Sequence, residues 1–183
     1  MTGSGRPRHR RRRILAVTVG VILVVVGAIT ARLFIWPVQG MPARVSAIVM
    51  MNGPGDRLPV ALRLAFDHRA STIVISRGSP DWGHGSLCAP PVPGVRVICF
   101  EPNPETTQGE AEYAGRLARR YHWKSIALVT IAPQNTRARL RLRRCFSGRI
   151  YAVDAPIPFY EWPYEIAYEW AATVKALLLQ RAC

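Results

Sequence analysis

Three short stretches of this chain concentrate residues able to hold an anion. Asn52-Gly53-Pro54-Gly55 follows an apolar run, Ser46–Met51, and precedes a helical pattern. Glycine there either makes a simple turn or lets backbone amides approach a charged ligand closely. Arg57, one turn further on, either aims a guanidinium at the same mouth or is a solvated surface residue. Thr106 and Thr107 precede Glu110. Thr107 and Glu110 have the spacing of a capping box, and hydroxyls at a helix N-terminus also suit a phosphate. Thr130 and Gln134 close another apolar run, and Arg137 follows one turn into the next helix. Glu101, directly after a third run, is a weak candidate for a general base, or for a carboxylate holding Arg57 or Arg77 in place.

No stronger catalytic constellation accompanies them. His68 and His122 fall at helix ends, and His84 lies in a long loop with Asp81 and Trp82. There is no Ser-x-x-Lys, no G-x-S-x-G and no cluster with metal-ligand spacing, so neither a metal nor a cofactor is expected. Arg137, Arg141 and Arg144 share a helix face, which reads as mostly solvated, with Arg137 alone near the mouth.

The elements that must position these residues alternate. Ser46–Met51, Ser71–Ser76, Val95–Phe100, Ser125–Thr130 and Arg149–Val153 read as strands, each short and apolar or β-branched. Leu58–His68, Thr107–Tyr121, Asn135–Phe146 and Tyr164–Arg181 read as helices. The loop 77–94 carries four prolines. Strands apolar on both faces and alternating with helices predict an α/β fold: a Rossmann-like, doubly wound, mainly parallel sheet of about five strands. Ligands of such sheets bind beyond the strand C-termini near a topological switch point, where the loops Asn52–Gly55, Arg77–Gly94, Glu101–Thr107 and Ile131–Thr136 should converge.

The N-terminal segment has a different character. Residues 1–13 form a basic tail with Arg6, Arg8 and Arg10 to Arg13, and Ile14 to Ala31 carries no charge. With Leu33 to Trp36 the apolar segment 14–36 is long enough, at about 1.5 Å per residue, for a hydrocarbon core of roughly 30 Å. The basic flank predicts a cytoplasmic N-terminus. Ile29-Thr30-Ala31 is a poor cleavage site, so an uncleaved anchor is favoured over a signal peptide. Residues 37–44 are a linker and 45–183 one extracytoplasmic domain of a cell-membrane protein. The chain has a formal charge of +14; setting aside the six tail arginines leaves +8. Anionic partners follow: headgroups, phosphate-bearing envelope polymers or phosphorylated small molecules, with no module for specific nucleic-acid recognition. Cys88, Cys99, Cys145 and Cys183 suit an oxidising compartment, and the pairings Cys88–Cys99 and Cys145–Cys183 each close a plausible loop.

Residues 45–183 resemble the YdcF/SanA-like domain family. The residues that carry the resemblance are Asn52-Gly53 with Arg57 and Ala61, Ile75-Ser76-Arg77-Gly78, Thr106-Thr107 with Glu110-Ala111, Val129-Thr130 with Arg137-Ala138, and Glu169. The resemblance implies a Rossmann-like domain, adds Ser76, Arg77 and Glu169 to the site, and for the membrane-anchored branch implies envelope barrier or wall maintenance. Two departures stand out: Gln134 takes the place of the family's histidine, and Arg77 that of the first glycine in Ser-Gly-Gly. Glutamine exchanges no proton near neutral pH, so the departures favour binding over turnover. The expectation is an envelope protein holding an anion through Arg57, Thr107, Gln134 and Arg137, with Glu101 or Glu169 positioning the arginines. The alternatives are a non-catalytic module docking through its basic helix and Trp82 loop, and a hydrolase or transferase on a phosphorylated envelope precursor. Sidedness is directly testable: alkaline phosphatase fused after Cys183 should be active, and replacing the tail arginines by glutamate should reduce that activity severalfold.

Overall fold

The computed structural model describes residues 6–77 and 91–183. Asp81, Trp82, His84, Cys88 and Gly78 lie outside the described residues, and with them the expected Cys88–Cys99 pair.

Five strands form one parallel sheet: β1 (Ala47–Met50), β2 (Thr72–Ser76), β3 (Arg96–Phe100), β4 (Ser125–Ile131) and β5 (Arg149–Ala155), in the order β3-β2-β1-β4-β5. Alternation along the strands divides their side chains between two cores. Ile48, Ile73 and Val129 meet Ala61 and Ala65 of α2 (Arg57–Phe66) on one face. Val49, Val74 and Leu128 meet Ala114, Ala138 and Leu142 on the other, from α3 (Thr107–Arg120) and α4 (Ala132–Cys145). The doubly wound α/β fold follows from strands that bury both faces. The order reverses between β1 and β4, so the crevice beyond their C-terminal ends is the switch point.

Two helices begin earlier than their apolar periodicity indicates. α4 starts at Ala132, directly after β4, and α5 (Trp162–Leu178) starts before Tyr164 and ends before Arg181. Pro133 and Pro163 sit in the first turns, where a missing N–H costs nothing and the fixed φ suits the helix. A proline that reads as punctuation is here the opening of the element.

The N-terminal helix α1 (Arg6–Thr30) takes in the basic residues as well as the apolar run. Its continuation ends in a π-helical turn, Ala31–Ile35, and the stretch His9–Ile35 is long and apolar enough to cross a membrane. The turn is anchored in the domain. Phe34 is fully buried and packs on Trp170 at 5.3 Å between ring centroids. Trp170 Nε1 donates to Thr30 Oγ1 at 3.0 Å, and Thr136 Oγ1 donates to the Leu33 carbonyl at 2.6 Å. Burying a phenylalanine contributes about 1.5–3 kcal/mol.

Cys145 and Cys183 form a disulfide with Cα atoms 4.9 Å apart, tying the chain after α5 to the end of α4. In the chain-entropy model, closing a loop of 38 residues stabilises by about 4 kcal/mol. At that end of α4, the helix passes so close to α3 that a Cβ on Gly115 would lie 2.7 Å from the Cys145 Cβ and carbonyl oxygen. Gly115→Ala should therefore lower stability by about 1–3 kcal/mol in thermal unfolding of the detergent-solubilised chain, with the disulfide intact.

Candidate functional site

The site is built on the end of β1. After Met51 the chain turns through Gly53, whose φ of +137° excludes a side chain, and Arg57 folds back beneath the turn. Arg57 Nη1 donates to the Met51 carbonyl at 3.0 Å, the Asn52 carbonyl at 2.7 Å and Gln134 Oε1 at 2.6 Å, while Nε donates to the Pro54 carbonyl at 2.7 Å. Only 2% of the residue is exposed. Every one of these acceptors is neutral. Burial pushes the guanidinium down to about 10, and the surrounding carboxylates Glu110, Glu165 and Glu169 only partly oppose it. It is still a cation at neutral pH.

Gln134 reaches the site because α4 follows β4 without a loop. Its Oε1 accepts from Arg57 and, at 2.7 Å, from Thr130 Oγ1; its Nε2 donates to Thr107 Oγ1 at 3.2 Å. One turn later, Arg137 grips Glu169 of α5 with two bonds of 2.6 Å and donates to Thr107 Oγ1 at 2.8 Å. Burial alone would lower the Arg137 pKa, but the paired bonds to Glu169 outweigh it and leave it raised. Arg57, Gln134, Thr130, Thr107, Arg137 and Glu169 thus form one continuous network drawn from α2, β4, α3, α4 and α5.

A cavity of about 490 Å³ opens over this network. Of the residues singled out in the sequence, Asn52, Gly53, Arg57, Thr106, Thr107, Gln134, Arg137 and Glu169 line it. Thr130 lies directly behind, held by Gln134. Ser76, buried at the end of β2, is one strand removed from the switch point. Arg77 gives its amide to the Phe100 carbonyl and does not line the cavity. Nor does Glu101, which is exposed. Its neighbour Pro102 does line it, but the Glu101 carboxylate makes no bond to Arg57 or Arg77 among the described residues.

The expected capping box is replaced by a different arrangement. Thr106, not Thr107, caps α3, its hydroxyl accepting from Gly109 N at 3.3 Å. Glu110 turns inward and accepts the Asn52 amide at 2.6 Å. Burial raises its pKa; the Asn52 amide counters this, as does Ser76, whose oxygen has no well-formed hydrogen bond. The amides of Thr107 and Gln108, also in the first turn, have no partner among the described residues, and the same holds for Gly53 N. All three belong to cavity-lining residues.

No family model and no curated protein matches this chain. The site therefore rests on geometry. α5 supplies the wall that sequence patterns had missed: Tyr164, Glu165, Tyr168 and Lys175 line the cavity along with Glu169. Glu165 has no hydrogen bond or ion pair among the described residues. Burial raises its pKa, and the negative charge of Glu169 adds to the effect. Arg141 is not solvated as its helix face had suggested; it is buried, lines the cavity, and donates to Gln108 Oε1 and to the Gln180 carbonyl. Arg144 likewise donates to the carbonyls of Ala176 at 3.0 Å and Gln180 at 2.6 Å. The stretch after α5 covers this face of α4.

The Arg137–Glu169 pair is buried, so removing one partner strands the other charge. Glu169→Ala should cost about 3–5 kcal/mol of stability in thermal unfolding, while Glu169→Gln, which keeps one acceptor, should cost distinctly less.

Proposed function

We propose that this chain is a single-pass membrane protein whose extracytoplasmic α/β domain binds a phosphate-bearing anion at the switch point between β1 and β4. The observation that carries the reading is Arg57: a buried guanidinium held by four neutral oxygens and by no carboxylate. Burying a charge without a counter-charge is costly, and a bound anion beside Gly53 would offset that cost. The cations lining the cavity are Arg57, Arg137, Arg141 and Lys175, and the carboxylates are Glu105, Glu110, Glu165 and Glu169. Glu169 is committed to Arg137, while burial moves Glu110 and Glu165 toward their neutral forms. The amides of Gly53, Thr107 and Gln108, the latter two at the positive end of α3, supply the directional donors that phosphate oxygens take up.

The envelope role comes from the resemblance to the YdcF/SanA-like family and from an apolar N-terminal helix behind a cluster of arginines. Among the described residues the cavity offers no histidine and no nucleophile with an adjacent base, which favours binding over turnover. Should there be acid–base chemistry, Glu165 is better placed for it than Glu101. The second reading, docking of a partner through the basic helix, is weakened because Arg137, Arg141 and Arg144 are consumed within the domain.

The test is inorganic phosphate titrated into the detergent-solubilised full chain, followed by calorimetry. Arg57→Gln should weaken binding about tenfold to a hundredfold, the loss of one charge-assisted bond, and Arg57→Lys by less. Circular dichroism identifies any variant that fails to fold, and in that case Lys175→Met at the cavity rim replaces it, with a severalfold loss expected. If wild type takes up no phosphate, or neither substitution alters uptake, the reading falls. Glu165 adds a pH dependence, best read with sulfate, which does not titrate in this range. Its raised pKa means the proton is held to higher pH than in an ordinary carboxyl, so repulsion of the anion vanishes as pH falls through that value. Sulfate should bind more tightly at pH 5 than at pH 8, and Glu165→Gln should flatten the difference.

A further inference from the structure

The position of the cavity relative to the N-terminal helix narrows the kind of phosphate it takes. α4 and α5 each have the end of that helix on one side and the cavity on the other. On α4, Thr136 bonds the Leu33 carbonyl and Arg139 bonds the Val38 carbonyl at 3.0 Å, while Gln134 and Arg137 line the cavity. On α5, Trp170 bonds Thr30 and packs on Phe34, while Tyr168, Glu169 and Ala172 line the cavity. One helix diameter, about 10–12 Å, therefore separates the ligand site from the point where the apolar span ends. The headgroup layer of a bilayer is roughly 5–8 Å deep on each side. Even if that whole separation ran along the bilayer normal, the site would stand only a few ångströms above this layer, within reach of a lipid headgroup.

The surface beside the span has the chemistry of a membrane contact. Trp170, Val174 and Leu177 recur at i, i+4 and i+7 along α5, and Val174 and Leu177 are 45% and 46% exposed. This stripe continues the face by which Trp170 touches the anchor. On α4, Arg139 and Arg143 lie one turn apart, and Arg139 is close enough to Arg143 and to Arg32 to feel their repulsion, which Asp154 partly opposes. Apolar and aromatic groups beside clustered arginines suit acyl chains and anionic headgroups.

We propose that the ligand phosphate is carried on a lipid of the membrane that the helix spans, with the Trp170–Val174–Leu177 stripe resting on that membrane and Arg32, Arg139 and Arg143 gathering anionic headgroups toward the cavity. The proposal rests on the anion-site reading above and adds the source of the anion. A lipid bearing a terminal phosphate monoester supplies the same oxygens as free phosphate, but at the high local concentration of a membrane surface.

The test uses the full chain in phosphatidylcholine nanodiscs, with hydrogen exchange read at 52–57 and 106–110. One arm adds phosphatidic acid to the disc, and the other adds inorganic phosphate to the buffer. Phosphatidic acid at a few per cent of the lipid should slow exchange in both segments by about threefold or more. Val174→Glu with Leu177→Glu, outside the cavity, should abolish this protection and leave that from inorganic phosphate intact. Protection by inorganic phosphate but not by phosphatidic acid overturns the lipid proposal and spares the anion site. Protection by neither overturns both. Protection by phosphatidic acid that persists unchanged in Arg57→Gln places the lipid elsewhere and overturns the proposal, as does protection unchanged in the double glutamate variant.

Discussion

The two bonds between Arg137 and Glu169 join the last helix to the sheet's crevice, and the architecture of the site depends on them. Arg137 also holds the Thr107 hydroxyl, so a single guanidinium fixes α3, α4 and α5 around one point. With that point fixed, Thr107 can orient Gln134, and Gln134 can offer its oxygen to Arg57. The order of donors and acceptors is determined throughout: the glutamine oxygen faces Arg57 and Thr130, and its amide faces Thr107. A buried polar network satisfied in this way is rigid, and its rigidity is what leaves Arg57 close to the cavity wall without a carboxylate of its own.

The Gln134 position has a further chemical meaning. A neutral amide joins a cation to a hydroxyl without changing charge between pH 5 and 8, where an imidazole would titrate. Gln134 therefore keeps one charge, and pH sensitivity at the cavity is left to carboxylates such as Glu110 and Glu165. Of the two, Glu110 is held by the Asn52 amide, while Glu165 has no donor among the described residues.

Much of the fold was legible because parallel strands announce themselves: runs such as Ile73-Val74-Ile75 and Ala127-Leu128-Val129 are apolar on both faces, and only a sheet covered on both sides buries them. The switch-point rule points to the loops after the strands, and Asn52, Arg57, Thr107, Gln134 and Arg137 all line the cavity there. Glu101 does not line it although its neighbour Pro102 does: nothing in the run before it shows which way the first loop side chain turns. Glu110 was misread for a related reason. Its spacing from Thr107 fits a cap, but the Asn52 amide, 58 residues away, competes for the carboxylate and wins inside the core. Arg141 and Arg144 looked solvated because the chain that covers them comes from beyond α5, at a distance no helical period reports. The aromatic and acidic wall of α5 was hidden in the same way.

The junction at Phe34 leaves no slack. The chain passes from helix to π-turn to a buried aromatic ring and at once into contacts with α4 and α5, so there is no stalk on which the domain could swing. With the helix seated in a bilayer, any tilt of the span would be passed to the domain as a lever passes torque. Such a protein has almost no reach above its membrane. Membrane-borne partners would then reach it by lateral diffusion, in two dimensions.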